Sequence, residues 1–216
     1  MPNSFTRILL LFSLLVLLKV SALAQETASA DATRKAFLQL IDHPRVPLAS
    51  VVKVLPNVDG LRQEQFTYAT EKTQRVPGIL LKQEGNQRRS VVVVLHGTGG
   101  TKEGQLSVLK TLASQGFIAI AIDARYHGER QTGTGSTQYV AAMLQTYRTG
   151  QEHPFLYDTV WDVLRLIDYL ETRPDVDASR IGVIGFSKGG METYLAAAVD
   201  PRIAVAVPMI GVQSFR

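Results

Sequence analysis

Four short apolar runs, taken together with the segments that separate them, constrain this chain more than any other feature. Ser90 to Leu95 holds four valines and a leucine without polar alternation, and Phe117 to Ile122, Arg180 to Ile184 and Ile203 to Val207 repeat the pattern. A strand wetted on one face alternates polar and apolar side chains, so runs like these expect cover on both faces, as in a parallel sheet. Helical spacing lies between them. Leu106, Leu109, Lys110 and Ala113 recur through Lys102 to Gln115 before Gly116, and Leu156, Val160, Val163, Leu164, Ile167 and Leu170 share one stripe of Pro154 to Glu171. A further helix is expected from Lys188 to Val199. Strands alternating with helices at this spacing predict an α/β fold with a doubly wound, mostly parallel sheet and right-handed crossovers.

The segments upstream read differently. Ala32 to Asp42 is expected to form a short amphipathic helix with Asp31 as N-cap and Pro44 as its stop, and Gln65 to Ala69 and Val76 to Lys82 to form an antiparallel edge pair turning near Glu71 and Lys72. Gln131 to Ser136, rich in glycine and threonine within a long connection, is the expected flexible segment. At the N-terminus, Arg7 precedes an apolar run from Ile8 to Leu18, and Ala22-Leu23-Ala24 places small residues as a signal peptidase requires. The run is too short to span a bilayer, and no cysteine follows it to carry a lipid. A signal peptide over 1–24 is therefore expected, then an extension over 25–60 with the short helix, one further domain from Leu61 to Arg216, and a mature protein secreted or periplasmic and free of the membrane.

The net charge of +4 includes Arg7 and Lys19 from the segment expected to be removed, and what remains is too small to argue for a nucleic-acid partner. With no cysteine, neither a disulfide nor a thiolate metal site can form.

Chemistry concentrates at three strand ends. Gly185-Phe186-Ser187-Lys188-Gly189 matches G-x-S-x-G immediately after an apolar run and at the start of a helix. In that setting a serine is held in strained backbone angles with its hydroxyl over the strand ends, and the glycines allow the close turn. The bland alternative, a glycine-rich turn cradling a phosphate, lacks both the Walker and the G-x-G-x-x-G spacing. His96-Gly97-Thr98-Gly99-Gly100 follows the valine run, where a loop of this kind supplies one oxyanion-hole amide and the residue after the nucleophile supplies the other. Thr98 and Lys188 are the expected donors, and His96 is expected to position the loop rather than transfer protons.

Asp123-Ala124-Arg125-Tyr126-His127-Gly128 is the third strand end. With the two loops above and the Asp175 to Gly185 stretch, it resembles the α/β-hydrolase superfamily near its dienelactone hydrolase, acetyl xylan esterase and prolyl oligopeptidase branches, from about Leu61 onward. The resemblance implies a serine hydrolase, most readily a carboxylic-ester hydrolase forming an acyl-enzyme on Ser187, with a small-molecule ester as substrate and no metal or cofactor. It assigns His127 to the rim of the site, with Tyr126 where glycine is commoner. It also implies a triad in the order serine, acid, histidine, whereas His43, His96, His127 and His153 all precede Ser187. The sheet is accordingly expected to lack its last strands in this chain, leaving its final strand uncovered. The alternatives are a non-catalytic or degenerate binding relative, a peptidase of the prolyl oligopeptidase type, and an in-chain substitute of His127 oriented by Asp123.

Overall fold

The computed structural model describes residues 29–133, 137–150 and 155–211, without the side chain of Phe155. The expected signal peptide, the second half of the Gln131 to Ser136 loop and His153 lie outside the described residues. The chain divides into units 1–39 and 40–216. Of the first, the described residues are helical and belong to α1 (29–41). Asp31, expected as its N-cap, lies inside this helix and faces Arg34 at 3.4 Å.

The second unit is built on one seven-stranded sheet. Its strands are β1 (Val51–Val58), β2 (Leu61–Glu71), β3 (Gln74–Lys82), β4 (Arg89–Leu95), β5 (Ile118–Ile122), β6 (Val176–Phe186) and β7 (Ile203–Met209), in the spatial order β1-β2-β3-β5-β4-β6-β7. The four apolar runs run parallel as β5-β4-β6-β7, while β1, β2 and β3 add to β5 in antiparallel fashion. This is the α/β sheet expected, with one strand more. β1 was not anticipated because its Val51, Val52 and Val54 are exposed and Pro56 interrupts its pattern; it pairs with β2, so the expected edge pair is not at the edge.

The helices described in this unit are α2 (Leu106–Ser114), α3 (Thr137–Thr149), α4 (Phe155–Glu171) and α5 (Lys188–Val199). On one face, Leu109 and Ala113 of α2 pack with Ile79, Leu81, Val94, Ala119 and Ala121. Val160, Val163 and Ile167 of α4 and Ala196 of α5 are fully buried, which covers the apolar stripe that marked α4. α3 was left unassigned by sequence reasoning, and no residue of it is buried, so it has no strong stripe to reveal it. β7 pairs with β6, and its Val205, Val207 and Met209 are exposed among the described residues, the uncovered final strand that was expected.

The topology brings the C-terminal ends of β4, β5 and β6 side by side. The three motif loops therefore converge at one rim of the sheet, as strand ends of open α/β sheets do.

Candidate active site

Ser187 sits on the turn from β6 into α5 with φ 55° and ψ −116°, a left-handed backbone region costly for any residue with a side chain. Three glycines make the turn possible. A Cβ on Gly185 would lie 2.1 Å from the Gly189 carbonyl oxygen, one on Gly189 would lie 2.3 Å from that of Leu95, and one on Gly190 would lie 2.7 Å from that of Met209. All are collisions with backbone, which cannot rotate away. The turn is tied by the Ser187 N–H donating to the Met209 carbonyl (2.8 Å) and the Met191 N–H donating to the Ser187 carbonyl (3.1 Å). The serine side chain takes no capping bond to α5, so its half-buried hydroxyl is not spent on the helix.

The loop after β4 lies against this turn. A Cβ on Gly97 would stand 3.6 Å from the Ser187 Cβ and 3.3 Å from the Phe186 carbonyl oxygen, so a side chain there would crowd that carbonyl slightly and lie against the serine. The Gly100 N–H closes the loop on the Gly97 carbonyl (3.1 Å), with Gly99 at φ 75° and Thr98 exposed at the tip. His96 is nearly fully buried. Its Nδ1 meets the Gly97 carbonyl at 2.8 Å, and its Nε2 accepts the Ala124 N–H at 3.2 Å, which places the proton on Nδ1 in the neutral ring. Burial, reinforced by the Lys188 ammonium, pushes its pKa down to about 4. Both nitrogens are committed to backbone, so His96 holds two loops together.

Lys188, the residue after the serine, is buried, and its Nζ donates to Glu192 Oε1 one turn on at 2.8 Å. Burial raises the Glu192 pKa against the pull of this ammonium. The Lys188 charge also disfavours protonation of His96 and His127. Sequence reasoning took Lys188 for its amide alone; the i, i+4 spacing of Lys188 and Glu192 in an otherwise small and apolar helix was the available signal.

The Asp123 to Gly128 turn is a knot of charges. Asp123 is fully buried and accepts from the Lys102 N–H (2.8 Å), Lys102 Nζ (2.7 Å) and the Glu129 N–H (3.0 Å). The chain passes over this carboxylate at Gly128, where φ is 55° and a Cβ would be 2.2 Å from it, so the motif needs glycine there. Arg125 forks onto Asp162 at 3.1 and 3.2 Å and also bonds Glu71, while Arg130 reaches Asp162 at 2.5 Å. Although burial raises the Asp162 pKa, the two guanidinium groups outweigh it and hold the carboxyl below its usual range. His127 turns its Nδ1 to the Arg125 carbonyl (2.7 Å) and packs between the rings of His96 and Tyr139 at 5.0 and 5.5 Å. Asp123 therefore does not orient His127, and the structure offers no Asp123–His127 hydrogen bond for an in-chain substitute. His43 lies elsewhere, 3.5 Å from Asp158 and 3.8 Å from Glu71. Among the described residues, no group of three or more histidine and carboxylate side chains is arranged to hold a metal ion.

Two cavities open at this rim. One of about 160 Å³ is lined by Thr98, Gly99, Tyr126, His127 and Tyr139, the other of about 420 Å³ by Tyr139, Met143, Leu156, Lys188 and Met191. Tyr139 of α3 is common to both.

A strand-to-helix serine turn, a glycine loop against it and a mixed sheet of this order define the α/β-hydrolase fold. Among solved structures, an acetyl xylan esterase from Paenibacillus sp. R4 superposes with a TM-score of 0.62 at 24% identity, over 82% of this chain and 58% of that one. A putative acetyl xylan esterase from Bacteroides fragilis gives a TM-score of 0.66 at 19% identity, over 82% and 51%. These likenesses establish the fold alone. The model of the dienelactone hydrolase family matches residues 76–215, and the chain belongs to that family. It is 35% identical over 98 residues to a putative hydrolase, YtaP, of Bacillus subtilis, covering 45% of this chain and 31% of that protein. It is 28% identical over 138 residues to a putative esterase, YitV, of the same organism, covering 63% and 51%. The chain thus spans about a third to a half of the length of these relatives.

Proposed function

We propose that this chain carries the nucleophile and oxyanion portion of a serine carboxylic-ester hydrolase. The observation that carries the proposal is Ser187: a residue held at a costly backbone angle, with its hydroxyl unspent, against a glycine loop that could present amides to a substrate oxygen. In this reading the Ser187 hydroxyl attacks the ester carbonyl. The Thr98 and Lys188 amides hold the oxyanion, the alcohol leaves, and water releases the acid from the acyl-enzyme. The buried Lys188 ammonium adds a positive field beneath the developing charge. The relatives named hydrolase and esterase favour this chemistry over simple binding.

The attack needs a base. His96 and His127 each commit Nδ1 to a backbone carbonyl, and His43 lies against Glu71 and Asp158. In this reading the base and its acid partner come from outside the described residues, in the serine, acid, histidine order that the resemblance implies. The protein is also proposed to be exported, with cleavage after Ala24. Among the described residues no helix is long and apolar enough to cross a membrane. Intact-mass analysis of exported protein should find Gln25 first; retained Met1 would overturn export by cleavage.

A fluorophosphonate probe should label Ser187 in the full-length gene product. Ser187→Ala should abolish both labelling and cleavage of short p-nitrophenyl esters. Labelling that persists in the alanine variant moves the chemistry to another residue.

A further inference from the structure

The cavity of about 420 Å³ beside the serine turn has a composition unlike that of the other openings at this rim. Its size falls within the range of ligand pockets, roughly 300–1,000 Å³. Lys188 and Met191, the first and fourth residues of α5, form its floor next to Ser187; Met143, Thr146 and Tyr147 of α3 and Leu156 of α4 form its walls. Two of the polar groups in this lining, those of Thr146 and Lys188, are engaged within their own helices. Thr146 Oγ1 donates back to the Ala142 carbonyl within α3 (3.0 Å), and Lys188 Nζ is held by Glu192 (2.8 Å). What faces the space is thioether, methyl, methylene and ring surface. On α3 the half-buried residues Tyr139, Ala142 and Thr146 fall at helical spacing, so one side of this helix turns inward, while Met143 and Tyr147 stand exposed at the opening. An ester seated with its carbonyl at Ser187 and its oxygen toward Thr98 would have this cavity directly alongside.

We infer that the cavity is a hydrocarbon subsite, and that the preferred substrate is an ester bearing an unbranched apolar chain rather than a small acetyl group on a sugar. The inference rests on Ser187 as nucleophile for its link to catalysis and on the cavity itself for binding. A hydroxyl-rich group would find few unengaged polar partners here, whereas each methylene entering the cavity leaves water for apolar contact. Either the acyl or the alcohol side can carry the chain, since both lead away from the same carbonyl.

Two measurements on the full-length gene product test this. In the first, p-nitrophenyl esters from acetyl to decanoyl, and a matched series of acetate esters from methyl to decyl alcohol, are compared by kcat/KM. On the side that enters the cavity, the value should rise about fourfold per methylene until the space is filled. Met143→Trp and Leu156→Trp should flatten that series while leaving the acetyl, methyl end far less affected. In the second, binding of alkyl carboxylic acids of the same lengths is measured calorimetrically on Ser187→Ala, where no chemistry can occur. Affinity should increase with chain length and be lost in the Ser187→Ala, Met143→Trp double variant. A flat series on both sides, with Ser187 still labelled by the fluorophosphonate, overturns the subsite and leaves the esterase reading standing. Length-dependent binding without labelling of Ser187 does the reverse. Similar losses for short and long chains in both tryptophan variants would show damage to the fold rather than a filled pocket, and would also overturn it.

Discussion

The serine turn and the Asp123 to Gly128 turn lie at neighbouring strand ends and are built by opposite means. At the serine turn backbone does most of the holding: glycines let backbone meet backbone, two main-chain hydrogen bonds tie the corner, side chains add the Lys188–Glu192 pair and the Thr193 bond to the Gly189 carbonyl, and the Ser187 hydroxyl is left over. At the other turn nearly every polar side chain is spent, with Asp123 on Lys102 and Glu129, Arg125 and Arg130 on Asp162, and His127 on a carbonyl. A reactive group needs an unspent valence, and the Ser187 hydroxyl has one. The contrast separates the residue proposed for chemistry from a conspicuous histidine-bearing motif beside it.

The two turns should consequently fail in opposite ways. Removing a side chain breaks the charged turn. Asp162→Ala leaves two buried guanidinium groups without their shared partner and should cost about 3–5 kcal/mol in urea unfolding. A loss comparable to that of an exposed ion pair would mean that charge does not hold this turn. Adding a side chain breaks the serine turn. Gly189→Ala puts a methyl 2.3 Å from the Leu95 carbonyl and should cost about 3 kcal/mol. If the same assay finds it neutral, the close approach of β4 and α5 is wrong.

His96 bridges the two turns, and its protonation should sharpen the comparison. Its folded pKa of about 4 lies below the unfolded value near 6.5, so the unfolded chain binds the extra proton first as pH falls. The stability from a neutral His96 is fully present above about pH 6.5 and lost as pH falls toward about 4, on the order of 2–3 kcal/mol across that window. His96→Asn should flatten the dependence in part, since His127 is displaced in the same direction by burial. An unchanged slope would place the titration elsewhere. The smallest expected effect has the opposite sign. Ser187→Gly removes the side chain from a left-handed position and should stabilise the protein by about 1 kcal/mol while abolishing fluorophosphonate labelling. Destabilisation would mean that the serine is architectural after all.

Much of this was legible before any coordinates. The runs without alternation became β4 to β7, and α5 occupies Lys188 to Val199, as its spacing predicted. β1 escaped notice because an exposed edge strand lacks the alternation that marks a half-buried one, and α3 because it buries no residue. The cavity escaped with it, since Tyr139, Met143 and Thr146 look unremarkable until the helix that carries them is placed over Lys188 and Met191.

The sequence by itself determined the alternation of strand and helix, the glycines that admit a strained serine, and the family, because each is written in local spacing and in residue types with few substitutes. Only the tertiary structure decided that both His96 nitrogens are spent on backbone groups, that Asp123 serves Lys102 rather than His127, and that an apolar cavity lies over Lys188 and Met191. Those outcomes depend on which groups from distant segments meet in a buried space. There an unpaired charge costs several kcal/mol, so partners are chosen by proximity across the fold rather than by position along the chain.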